Sequence, residues 1–324
     1  MKKLIVLSLT LSLIIFFIPL ITFAALDGTE AKDEKLHTIP PVKKPDEEKI
    51  SVYIEAQDKV ENMNFRDYII GVVAAEMPAV FHEEALSALA CAAATFARLK
   101  IQNGEKDSAS GAVISSDPKK HQAYISVDEM KKLWDDGFDE YYQKIADAVD
   151  KSIAYSITYE NELIFPAYHA MSPGITEEAV NVWNDNVPYL VSVESEGDML
   201  SPKYKTVTTF SFDEFREIFE EKGSSFAEDI TTWISAPEYT SAGTLQKIIV
   251  GEKAFSGEEL REILSLRSSA ITVSMTKDGV SLTTKGYGHG VGLSQYGADY
   301  LAKQGFTWQE IIKHYYTGVE IEII

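Results

Sequence analysis

Apolar and polar positions change register several times along the chain, and each register predicts a different element. Behind Lys2 and Lys3, no charged side chain interrupts residues 4–26. As a helix rising about 1.5 Å per residue, that stretch spans roughly 30 to 35 Å, enough to cross a bilayer. It predicts a transmembrane anchor at 1–26, although Thr22-Phe23-Ala24 is also a tolerable cleavage site for a secretory signal. The two lysines favour the cytoplasmic side, which puts everything that follows outside. Residues 27–50 carry Pro40, Pro41 and Pro45 among charged groups with few apolar ones. Such a composition buries too little surface to fold and reads as a flexible linker.

Past the linker, Ile50, Val52 and Ile54 alternate as a strand does. Residues 65–75 read as a helix or a strand that ends before Pro78, since the residue ahead of a proline leaves the helical basin. The clearest helix covers 82–102, with Glu83 and Glu84 in its first turn, an alanine-rich body, Arg98 and Lys100 near its end and Asn103-Gly104 beyond it. Further helices are predicted at 128–135, 139–152 and 308–315, and after Ser211 and Ser256. Strands are predicted at 153–159 and 163–168 around Glu160-Asn161-Glu162, and at 270–275 and 279–283. With no repeat and no linker inside 51–324, the expectation is one α+β domain, open to division into two lobes.

Composition narrows the partners. Fifty acids against thirty bases give a net charge of −20, the wrong sign for neutralising phosphates, so nucleic acid is not an expected partner. The first fifty residues balance seven lysines with seven acids, so the acidity belongs to the folded part, where it serves as a solvated surface. A lone cysteine, Cys91, excludes an internal disulfide or a thiolate zinc cluster. The six histidines (His37, His82, His121, His169, His289, His314) never fall at a zinc-enzyme spacing, and no metal or other cofactor is expected.

Several blocks stand in a fixed order: Val72-Val73-Ala74-Ala75-Glu76-Met77-Pro78, the helix from Glu84-Ala85-Leu86 through Thr95-Phe96-Ala97, the loop from Tyr168 to Thr176, and Gly286-Tyr287-Gly288-His289-Gly290-Val291-Gly292-Leu293-Ser294-Gln295-Tyr296-Gly297-Ala298. Together with Val182-Trp183, Leu266-Arg267-Ser268-Ser269 and His314-Tyr315-Tyr316-Thr317-Gly318, they resemble the stage II sporulation protein D family from about residue 50 to the end. The resemblance implies a membrane-anchored lytic transglycosylase that cuts peptidoglycan glycan strands already stripped of stem peptides, during engulfment of the forespore. It also implies partners: the sporulation amidase (stage II sporulation protein P) and membrane protein M of the engulfment complex, at the septal or engulfing membrane.

Glu76 has almost nothing polar beside it in sequence, so desolvation is expected to raise its pKa toward what a general acid needs. Hydrolases of glycosidic bonds use two carboxyls. As the resemblance implies, a lytic transglycosylase works with one, because the C6 hydroxyl of the muramic ring attacks from within and yields a 1,6-anhydro end. The loop with His169 and Ser172 resembles a family loop whose polar groups contact sugar hydroxyls; read on its own, it is a turn closed by Ser172 and Thr176. No glycine-flanked serine elbow supports a Ser-His nucleophile.

The alternate glycines around His289 do not have dinucleotide-loop spacing. They permit close backbone approach, to a neighbouring strand or to a flat sugar chain, with His289, Gln295 and Tyr296 either lining the cleft or packed in the core. One departure stands out. Where the family usually shows glutamine and, five residues on, arginine, this chain has Leu89 and Ala94. That removes a charge-assisted donor and opens an alternative: a catalytically weak or inactive glycan-binding scaffold of the same fold.

Overall fold

The computed structural model describes residues 48–107 and 109–324. The anchor predicted at 1–26 and most of the linker predicted at 27–50 lie outside the described residues. The linker gives way slightly early, because β1 begins at Lys49 (Lys49–Ile54). It pairs antiparallel with β2 (Lys59–Asn64), a polar strand that no apolar alternation announces.

Asn64 caps α1 (Phe65–Glu76) by accepting from the Arg66 backbone N–H. This settles 65–75 as helix. Its residues from Phe65 to Ala74 are buried save Arg66 and Asp67, and Met77 turns extended (φ −127°, ψ 135°) ahead of Pro78, which stops it. His82 caps α2 (Glu83–Gln102), whose positions from Ala85 to Ala97 are all buried. A helix this rich in alanine lets neighbours approach on every side, and α2 is packed by α1, by the helix Phe138–Ser152, by the strand Tyr155–Tyr159 and by the helices Gln295–Lys303 and Trp308–Tyr315.

The mixed α+β class is as expected, and the core divides in two. The larger apolar cluster gathers residues 50–190 and 291–319 around α2. The smaller one holds Phe215, Phe219, Trp233, Ile248, Leu260, Val280 and their neighbours. Two sheets serve the smaller core: the antiparallel set in which Gly279–Lys285 lies between Ile271–Thr276 and Lys205–Phe210, and the set in which Leu245–Val250 lies between Glu238–Tyr239 and Lys253–Phe255. Predicted strand 163–168 is instead two short pieces, Glu162–Leu163 closing a hairpin and Tyr168–His169 pairing parallel with Leu293–Ser294. That second pairing joins the two sequence blocks of interest. Among the described residues no helix is long and apolar enough to cross a membrane.

Candidate functional site

Glu76 sits at the last position of α1, where the chain breaks toward Pro78 and its side chain faces a cleft of about 450 Å³. Its Oε1 accepts from the Ala123 backbone N–H at 3.0 Å, and its Oε2 from the Gln295 side-chain amide at 3.3 Å. The first contact depends on Gly71. A Cβ there would sit 2.2 Å from the Tyr124 ring, so only glycine lets the segment carrying Ala123 lie against α1. Beneath, the Tyr68 hydroxyl donates to Gln122 Oε1, and Gln122 Nε2 donates to the Tyr168 hydroxyl, at 2.9 and 3.0 Å.

Burial pushes the Glu76 carboxyl up from its ordinary value, and the Ala123 N–H and the Gln295 amide hold back part of that rise. Tyr68 and Tyr168 are pushed well above the usual tyrosine value, first by burial and then by the Glu76 charge, so both stay protonated. Glu76 is the sole carboxylate among the described residues lining the cleft, and no lysine or arginine lines it.

His169, His289 and Gln295 meet Glu76 in this cleft. His169 Nδ1 bonds the Val291 carbonyl at 3.1 Å and must therefore donate, leaving Nε2 as a buried lone pair with no partner. Burial lowers this imidazole to about 4, so it stays neutral. His289 Nδ1 accepts from the Val291 backbone N–H, and burial, with His169 next, lowers it to about 3.

The other two expected contacts lie elsewhere. Ser172 is fully buried, its N–H and hydroxyl both donating to Asp198 Oδ2 at 2.8 and 2.6 Å while its Oγ accepts from the Gly174 N–H. It holds the loop, as the turn reading has it. Tyr296 packs edge-on against Phe81 and lines a separate pocket with Pro78 and Leu200.

The glycine block meets neighbouring protein closely at Gly286 and Gly292, and Gly288 also lines the cleft. A Cβ on Gly292 (φ 73°) would stand 2.1 Å from the Ala167 carbonyl oxygen, which makes the parallel Leu293–Tyr168 pairing possible only with glycine.

Sequence reasoning missed two features. Asp198 also accepts from the Ser294 hydroxyl at 2.6 Å, so one buried carboxylate ties the His169 loop to the residue that caps the Gln295 helix. Burial raises Asp198, and hydrogen bonds from Ser172 and Ser294 oppose that. Phe165, Trp183 and Tyr287 expose large aromatic faces in the cleft, 40%, 40% and 46% respectively. Such faces suit the apolar face of a sugar ring. Trp183 stands in a matched block, but nothing local in the sequence marked it as exposed.

A family model described as Stage II sporulation protein matches residues 53–159, the segment holding Glu76 and Gln122-Ala123-Tyr124. Stage II sporulation protein D of Bacillus subtilis (strain 168) is 39% identical over 275 residues, covering 84% of this chain and 78% of that protein. Stage II sporulation protein D of Bacillus amyloliquefaciens is 36% identical over 336 residues, covering 99% and 96%. The amidase enhancer of Bacillus subtilis (strain 168) is 26% identical over 301 residues, covering 78% of this chain and 40% of that protein.

Proposed function

The chain belongs to the stage II sporulation protein D family, and on that premise we propose that it is a sporulation lytic transglycosylase cutting the glycan strands of peptidoglycan where stem peptides have been removed. The observation that carries the reading is the single carboxyl. Glu76 is half-buried, held by two neutral donors and alone among the cleft's described lining residues. With no second carboxyl among the described lining residues to act as nucleophile or to activate water, the natural nucleophile is one carried by the substrate. The protonated Glu76 gives its proton to the leaving O4 as the C1–O4 bond breaks. The carboxylate then takes the proton of the C6 hydroxyl as C6–O bonds to C1. Carrying the nucleophile in the same ring supplies proximity that a second residue would otherwise provide. The tautomer of His169 leaves Nε2 as an acceptor for a sugar hydroxyl.

Strands incubated with the protein are expected to release fragments ending in 1,6-anhydro-muramic acid, detected by mass spectrometry. Reducing ends alone would mean that water attacks, and would overturn the mechanism. The second reading, a glycan-holding scaffold, draws on the cleft having no cationic lining residue to steady charge at Glu76; binding without cleavage would favour it.

On this reading the anchor predicted at 1–26 would hold the domain outside the cytoplasm at the engulfing membrane, beside the sporulation amidase (stage II sporulation protein P) and membrane protein M. The full protein is then expected to pellet with membranes and require detergent. A mature chain beginning at Ala25 would show a cleaved signal instead.

A further inference from the structure

The chain has five arginines, and their partners differ. Arg66 pairs in two-pronged fashion with Asp150 at 2.6 and 2.9 Å. Arg98 donates to the carbonyls of Ile153 and Tyr155 and faces Glu48, and Arg261 pairs with Glu258. Arg216 stacks on Trp233 within the smaller core. Its Nε is buried without a hydrogen-bond partner, as is that of Arg267, but only Arg267 stacks on a residue that lines the cleft. The Arg267 guanidinium carbon lies 4.2 Å from the centre of the Tyr287 ring, and no described acid stands within ion-pair distance.

An unpaired arginine beside the cleft of a chain with net charge −20 is not explained by the fold. The backbone holds it in place. Gly288 N–H donates to the Arg267 carbonyl at 2.9 Å, while Met171 and Tyr287 exchange both of their backbone bonds. Tyr287 itself lines the cleft with Glu76 and His289. Stacking occupies the guanidinium's face and leaves its in-plane N–H fork for a planar anion. The Nε is enclosed by protein, whereas the two terminal nitrogens are neither enclosed nor hydrogen-bonded, and a carboxylate bound end-on would pair with them.

We infer that Arg267, steadied on Tyr287 just outside the lining of the cleft, forms a carboxylate-binding corner at its edge that takes the free lactyl carboxylate of a muramic acid residue bearing no stem peptide. The inference rests on the glycan reading above and adds a physical basis for its substrate. On such a strand the ionised group carried by the sugar is the lactyl carboxylate. Wherever a stem peptide is attached, an amide replaces it. An amide has no charge and no second carboxylate oxygen to fill the fork, so attached peptide removes the contact and adds bulk at the same place.

The test uses the full chain in detergent and two substrates: stem-stripped strands, and the same strands with lactyl carboxylates converted to primary amides by carbodiimide and ammonium. Binding is read with the Glu76→Gln protein, which leaves strands intact, and cleavage with the wild type, each with and without Arg267→Gln or Arg267→Lys. The unmodified corner is expected to favour free carboxylates by roughly tenfold or more, the scale of one charge-assisted contact. Arg267→Gln should bring stripped strands down to the amidated level through KM and leave amidated strands unchanged. Arg267→Lys should keep part of the preference, having the charge without the fork.

An equal loss on both substrates would show that Arg267 merely holds Tyr287, and would overturn the inference, as would an absence of preference in the wild type. If Arg267→Gln does not fold, the wild-type and Arg267→Lys comparisons still decide. Should no protein cleave either substrate, the transglycosylase reading fails, while the binding arm still reads the carboxylate preference.

Discussion

Glu76→Gln is expected to lower strand cleavage by about 10²- to 10⁴-fold, the usual range for losing a positioned general acid, without loosening the fold. The amide oxygen can still accept from the Ala123 N–H, and turning the Gln295 amide over lets its oxygen accept from the new NH₂, so both bonds at the carboxyl survive. What disappears is the proton. The sign of the stability effect separates this from a structural role. Burial raises the Glu76 pKa in the folded state, so the folded chain binds that proton more tightly than the unfolded chain. The group's contribution is then most favourable below its unfolded pKa and is lost as pH rises through the raised folded value. Removing the carboxyl removes that cost, and at neutral pH the variant should melt no lower than the wild type. Wild-type cleavage should also fall as pH climbs past the raised value, because the acid must begin protonated. Wild-type rates in the glutamine variant, measured as anhydro ends per unit time, would exclude Glu76. A large fall in melting temperature would assign it to structure.

Legibility in the sequence followed the kind of signal each residue carries. The helix Trp308–Tyr315 and the caps at Ser211 and Ser256 have local causes, a side-chain oxygen followed three residues later by glutamate, and all three form capping boxes as patterned. By contrast, β2 reads Lys-Val-Glu-Asn-Met-Asn and is recruited by pairing with β1, a long-range cause invisible in its own residues. The smaller core is similar. In Leu245–Val250 the buried positions are Leu245, Ile248 and Val250, a broken alternation that does not announce a strand.

The site divides the same way. The apolar run around Glu76 carries the desolvation, so its raised pKa was readable. Whether Ser172 faces a sugar or Asp198 depends on which side of a loop meets the rest of the chain. Asp198, alone in Glu196-Gly197-Asp198, matters because Ser172 and Ser294, distant in sequence, both turn toward it. Gln295 and Tyr296 are neighbours in one block, yet they point into different pockets on either side of the Glu76–Pro78 break.

The Leu89→Gln and Ala94→Arg pair is expected to destabilise the protein instead of awakening it. Restoring the family's two polar residues looks on paper like returning a donor to Glu76, worth on the order of a few kcal/mol to a transition state in a dry site. The structure instead places both positions inside a helix packed on all sides. Leu89 and Ala94 are both 0% exposed in α2, within the larger core, and neither lines the cleft. An arginine at 94 begins from a methyl group enclosed on all sides. Overpacking costs roughly 1 to 3 kcal/mol, and a buried guanidinium without a partner adds several more. For a domain of this size each kcal/mol is worth about 2 to 4 °C, so the melting temperature should fall by on the order of 10 °C or more. Leu89→Gln alone leaves a buried amide unsatisfied at about 1 to 3 kcal/mol, and serves as the intermediate case. Activity and melting are to be measured on the same samples. A folded double variant that cleaves faster would show that the side chain escapes the core and reaches the carboxyl. In that event Glu76 would gain a cationic neighbour, its pKa would drop, and the pH at which activity fades would move toward acid. A stable double variant with an unchanged pH profile would instead mean that the arginine found room without finding Glu76, so that these positions set the packing of α2 and not the chemistry at its neighbour's end.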